Sequence, residues 1–175
     1  MTSTMPIAVS NSSPLIHLAA IGSLWLVREF FDEIRIPPAV WREVVEEGRG
    51  RPGAAEVALA AQQGWLRVVP LHDEALAKAL RHTLDDGEAE TLALAVQEKP
   101  DWVLLDELEA RRAAEVHGLA KTGVIGLLMR AKQQGKVVCL KDLLDRLRTD
   151  AGFWIADQLY QAALAAAGET PIERG

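Results

Sequence analysis

Four oxygen-bearing side chains stand where a chain that alternates strands with helices would do chemistry. Asn11 follows a first apolar segment, residues 7–9. Asp106 follows Leu104-Leu105, at the end of the most apolar segment. Glu88 opens a helical stretch just before that segment, and Glu43 lies mid-helix after residues 34–36. Three carboxylates and an amide, with a single cysteine and no histidines at ligand spacing, are hard oxygen ligands. They suit Mg2+ or Mn2+, ions that keep several waters and bridge to phosphate. The matching chemistry is metal-assisted hydrolysis of a phosphodiester, with the ion activating water and stabilising the leaving oxygen. Each residue also has a plainer reading. Asn11 could form an Asx turn or cap the next helix. Glu43 could lie on a solvated helix face. Glu88, with Asp85, Asp86 and Glu90, could simply favour a helix N-terminus. Asp106 could be an N-cap for a helix beginning at Glu107.

The elements that must position these groups are legible from apolar spacing and from glycine and proline. Strands are expected at 7–9, 34–36, 65–69, 102–105 and 119–122. Helices are expected at 15–20, 24–31, 39–47, 53–63, 72–81, 88–98, 107–117, 124–134, 141–148 and 156–167. Ala89, Leu92, Ala93 and Val96 form an apolar stripe on the helix that Glu88 opens, and Glu90 points away from it. Several strands are apolar on both faces, which calls for a parallel sheet covered by helices on both sides. In such sheets ligands bind beyond the carboxyl ends of the strands, where the strand order switches.

Length and composition bound the answer. A chain of 175 residues, 49% apolar and 25% charged, is an ordinary globule that needs no disulfide or metal to fold. The net charge of −6 makes it a poor non-specific nucleic-acid binder, although a local basic groove stays open. No segment is long and apolar enough for a membrane span, and residues 1–10 lack the basic start and apolar stretch of a signal peptide. No membrane and a cytoplasmic location are the expectation. Cys139 reads as a small buried hydrophobe within Val137-Val138-Cys139-Leu140. His17 reads as a packed side chain on an apolar helix. Trp41, Trp65 and Trp102 read as core, whereas Trp25 and Trp154 could cover a partner surface. No Walker loop or Gly-x-Gly-x-x-Gly follows the first strand, which argues against a nucleotide-binding domain.

The ordered set of motifs resembles the PIN-domain family, which includes the VapC-type toxin ribonucleases. Val9-Ser10-Asn11-Ser12-Ser13-Pro14-Leu15-Ile16 resembles its opening strand and first acidic position. Pro38-Ala39-Val40-Trp41-Arg42-Glu43-Val44 carries the second acid, and Gly87-Glu88-Ala89-Glu90-Thr91-Leu92-Ala93-Leu94-Ala95 the third. Val103-Leu104-Leu105-Asp106-Glu107, followed by Ala110-Arg111-Arg112-Ala113, carries the fourth. The eighteen-residue separation of Glu88 from Asp106 resembles that family's spacing, which favours Glu88 over Glu90. Gly123-Val124-Ile125-Gly126-Leu127-Leu128 and the segment from Ala151-Gly152-Phe153 to Ala167-Gly168-Glu169 are similar to one branch of PIN-like proteins.

That resemblance implies a three-layer α/β fold, a five-stranded parallel sheet of order 3-2-1-4-5 flanked by helices. It implies a PIN-like domain over residues 1–150. Residues 151–175 would form a C-terminal helix and tail, packed on the domain or at a dimer interface. It implies an Mg2+- or Mn2+-dependent endoribonuclease with Asn11, Glu43, Glu88 and Asp106 around the ion and single-stranded RNA as substrate. A toxin's role, a small antitoxin protein as partner and a homodimer are further implications. Asn11 departs from the family's usual aspartate. It can offer a carbonyl oxygen but no charge, and ion affinity depends on ligand charge. Either Ser12, Asp85, Asp86 or Glu107 compensates, or the protein is a catalytically weak module that binds RNA or a protein. Arg111 and Arg112 could contact phosphate, or pair with acids a turn away such as Glu107, Glu109 and Glu115.

Overall fold

The computed structural model describes residues 4–169, so the last six residues of the expected tail lie outside it. Strand β1 (Ile7–Ser10) leads through α1 (Ser12–Ala20) and α2 (Trp25–Phe30) to β2 (Glu33–Ile36). Next come α3 (Pro38–Trp41), a π-helical turn (Arg42–Glu46), α4 (Ala54–Gln62) and β3 (Leu66–Val68). The chain then passes through α5 (Ala75–Leu80) and α6 (Asp86–Glu98) to β4 (Trp102–Leu104). It ends with α7 (Leu108–Val116), β5 (Lys121–Thr122), α8 (Val124–Gln133), α9 (Leu140–Thr149) and α10 (Asp157–Ala166).

All four strand pairings are parallel, and the order is β3-β2-β1-β4-β5. The fold is therefore the expected α/β sandwich. Alternate residues of one strand point to opposite faces, and both faces are dry. Ala8 and Leu104 pack with α1, α2, α4, α8 and α9 on one side. Val9, Val103 and Leu105 pack with α6 and α7 on the other. That double burial is why these strands read as continuous apolar runs. Tyr160, Ala163 and Leu164 of α10 join the first of these cores. Among the described residues no helix is long and apolar enough to cross a membrane.

The chain winds outward from β1 through β2 to β3, then returns to place β4 on the other side of β1. The switch point is thus the crevice between β1 and β4. Ser10 pairs with Leu104 there, and the Asn11 amide donates to the Leu104 carbonyl at 3.1 Å.

Two local readings are corrected. Helix α6 is buried on nearly every side from Gly87 to Ala95, but Val96 is exposed, so its contact surface is not a simple stripe. A helix inserted between the sheet and α3, α5 and α7 has no free face until its last turn. Cys139 is half-buried at the N-cap of α9, and its neighbour Val138 is 90% exposed. The apolar run there is a loop ending in one core residue, Leu140. Trp41, Trp65 and Trp102 are partly buried and packed against the first core, while Trp25 and Trp154 are exposed.

Candidate metal centre

Asn11 occupies the N-cap of α1, yet its side chain makes no capping hydrogen bond. The carboxamide is left for the switch-point crevice, where Asn11 is 4% exposed. Glu43 comes from the π-helical turn after α3, and its Oε2 accepts a hydrogen bond from Ser12 Oγ at 2.7 Å. The third contribution comes from the start of α6. Asp85 caps that helix, its carboxylate accepting from the Glu88 amide at 2.8 Å. Glu88 reciprocates, its carboxylate accepting from the Asp85 amide at 3.1 Å. This capping box satisfies two otherwise free helix donors and holds both carboxylates in place.

Gly87 shows how closely these oxygens converge. A Cβ on Gly87 would lie 3.1 Å from Glu43 Oε2, 3.2 Å from Asn11 Oδ1 and 3.6 Å from Asp85 Oδ1. Three oxygens from three elements thus surround one point that only a glycine leaves open. Glu88 is 8% exposed, and burial, as the largest effect, raises its pKa. The hydrogen bond with the Asp85 backbone opposes that rise, while the charges of Asp85, Glu107 and Glu43 add to it. Glu88 therefore sits in a field of unneutralised negative charge.

The remaining candidates divide. Asp106 stands at the end of β4, but both its oxygens are engaged. Oδ1 accepts from the Val124 amide at 2.8 Å, capping α8, and Oδ2 lies 3.1 Å from His17 Nδ1. His17 in turn packs edge-on to Phe153, with ring centroids 4.7 Å apart. Asp86 turns outward to Arg81, at 3.0 Å. Glu107 is exposed and reaches the cluster through its charge on Glu88. Glu90 is occupied structurally, since its carboxylate accepts from the Ala39 amide at the start of α3 and from Arg81, each at 3.2 Å. Arg112 is exposed and pairs with Glu109 at 2.9 Å. Arg111 is half-buried and donates to the Leu105 carbonyl at 3.1 Å, beside Asp106.

Sequence reasoning passed over two participants. Gly87 entered only as the motif residue before Glu88, although a glycine at a helix start is itself a signal of close approach. The pairing of His17 with Asp106 spans 89 residues and leaves no local trace.

The donor set fits a hard divalent cation that keeps much of its water shell. Mg2+ typically takes one or two protein carboxylates and fills the rest of its octahedron with water and substrate phosphate. Glu43, Asp85 and the Asn11 carbonyl around an open point supply that kind of partial shell. Among the described residues no three His, Cys, Asp or Glu side chains form a group that could hold an ion alone. A closed, all-protein cage of the zinc type does not match this arrangement.

No curated protein matches the sequence. A family model described as "DUF3368: PIN domain" matches residues 7–169. The match takes in all five strands and every site residue described above, and so the chain belongs to the PIN-domain family.

Proposed function

We propose that this protein is a metal-dependent endoribonuclease that cuts single-stranded RNA at the β1–β4 switch point. The observation that carries the reading is the convergence of Asn11 Oδ1, Glu43 Oε2 and Asp85 Oδ1 on the point left open by Gly87. Nuclease-type chemistry is the chemistry of the PIN fold, and the oxygen cradle lies where an α/β sheet binds its ligands. Asn11, Glu43 and Asp85 would hold Mg2+ or Mn2+, with Glu88 and Asp106 flanking them. When bound, the ion supplies positive charge to activate water and to stabilise the leaving oxygen.

The protein's own groups prepare the site. Ser12 holds Glu43 by one oxygen, and the capping box holds Asp85 and Glu88. Asp106 ties the end of β4 to α8 and to His17; each of its oxygens has one partner, as Glu43 Oε2 and Asp85 Oδ1 also do. Of the two arginines, Arg111 lines the cavity beside Asp106 and Arg112 does not, which supports Arg111 as the phosphate contact. A toxin's role, a small antitoxin protein and a homodimer extend the same reading and rest on the family alone.

The test is cleavage of a mixed single-stranded RNA pool with Mn2+, Mg2+ or chelator. Wild type is compared with Glu43→Gln and Asp106→Ala, each shown to be folded. Cutting that needs the ion and is lost in Glu43→Gln supports the reading. No cutting by folded wild type under any ion refutes it. A second reading, an RNA- or protein-binding module of weak activity, is favoured by the neutral Asn11. It expects binding of the partner without need of metal.

A further inference from the structure

A cavity of about 800 Å3 opens beside Asp106, and Asn11, Glu43 and Asp85 are not among its lining residues. His17, Asp106, Arg111, Lys121, Phe153 and Trp154 are among the residues that line it. Its size falls in the range of small-molecule and cofactor pockets. Its lining balances two acids, Asp106 and Glu107, with two bases, Arg111 and Lys121. Arg111 uses one N–H on the Leu105 carbonyl and makes no ion pair among the described residues, which leaves most of its donors available. Lys121 is held by Glu115 at 2.7 Å, with further N–H donors to spare. Phe153 is fixed edge-on against His17, and the Trp154 indole beside it is 82% exposed. An aromatic face and a guanidinium on one cavity, next to an oxygen cradle suited to a phosphodiester, match a nucleotide unit.

We propose that this cavity seats a nucleotide of the RNA strand adjacent to the scissile bond, its base stacked on Trp154 and its phosphate held by Arg111. The inference rests on the nuclease reading and identifies where that substrate strand is held. Stacking accepts every base, because every base has a π face, so the subsite contributes grip more than sequence choice.

Two measurements on the full chain test it. Binding of a labelled single-stranded RNA is followed by anisotropy in chelator, and steady-state cleavage is followed in Mn2+. Trp154→Ala, fold-safe because the side chain is so exposed, should weaken binding about tenfold and raise KM with little change in kcat. Arg111→Gln should weaken binding and flatten its salt dependence by somewhat under one unit of log–log slope. Trp25→Ala, on a different cavity, should change neither. If RNA is cut and both cavity variants bind and cut like wild type, the subsite is overturned while the nuclease reading stands. If wild type neither binds nor cuts RNA, both fall together.

Discussion

Gly87→Ala separates the stability of this fold from its chemistry. Gly87 is the second residue of α6 and does not adopt the left-handed backbone that excludes alanine. On backbone grounds alone alanine is favoured in a helix by about 1 kcal/mol. The added methyl would lie 3.1 Å from Glu43 Oε2 and 3.2 Å from Asn11 Oδ1, a few tenths of an ångström inside ordinary contact. Both are side-chain tips, so they move before the backbone does. Crowding of this kind costs on the order of 1 kcal/mol, and the net stability change is therefore near zero. Thermal unfolding in chelator should shift by no more than about 4 °C. The displaced oxygens, however, are the proposed ion ligands. Affinity for Mn2+ should fall about tenfold or more, the scale of loss when ligand orientation is disturbed, and RNA cleavage should fall with it. Calorimetric titration with Mn2+ beside the cleavage assay reads both. A folded variant with wild-type Mn2+ affinity would refute the assignment of these three oxygens.

Other perturbations separate neighbouring residues by role. Asn11→Asp adds a buried charge beside Glu43 and Asp85, so the metal-free protein should melt lower. Mn2+ should bind about tenfold more tightly and raise the melting temperature by more than it does for wild type. Glu90→Ala should cost about 1–2 kcal/mol in denaturant unfolding by stripping the α3 amide of its acceptor and Arg81 of one of its two, while Mn2+ affinity stays unchanged. Arg112→Ala removes only an exposed pair and should alter stability by less than about 0.5 kcal/mol and leave RNA binding intact. The α9–α10 contact should show acid sensitivity through Asp145. Burial raises its carboxyl pKa, but hydrogen bonds from Lys141 and Tyr160, with the charges of Lys141 and Arg148, leave it lowered overall. A depressed carboxylate stabilises the fold above its unfolded pKa and loses that contribution as pH falls through its folded value. Asp145→Asn should therefore flatten the stability loss below about pH 4, read by thermal unfolding across pH.

The order of elements and the type of sheet were legible because the central strands β1 and β4 are apolar on both faces and because proline, glycine and capping acids punctuate most of the helices. Asp85-x-x-Glu88 could be recognised as a helix start from its residues alone, since a capping box is a local interaction. The choice of Glu88 over Glu90 also followed from spacing, and in the folded chain Glu90 has a role of its own at α3. What the chain's linear order could not show is which oxygens face one another. Ser12 meets Glu43 across 31 residues, and His17 meets Asp106 across 89. Such contacts depend on how strands stack into register and how a π-helical turn aims one side chain. Periodicity reports which face is buried, but not what lies opposite. The sequence by itself determined a doubly covered parallel sheet with oxygen-bearing side chains near its carboxyl edge. The tertiary structure alone decided that Asn11, Glu43 and Asp85 share the point above Gly87, and that Asp106 is held by α8 and His17. Ligand geometry is set by through-space distances that only the packed sheet and helices define.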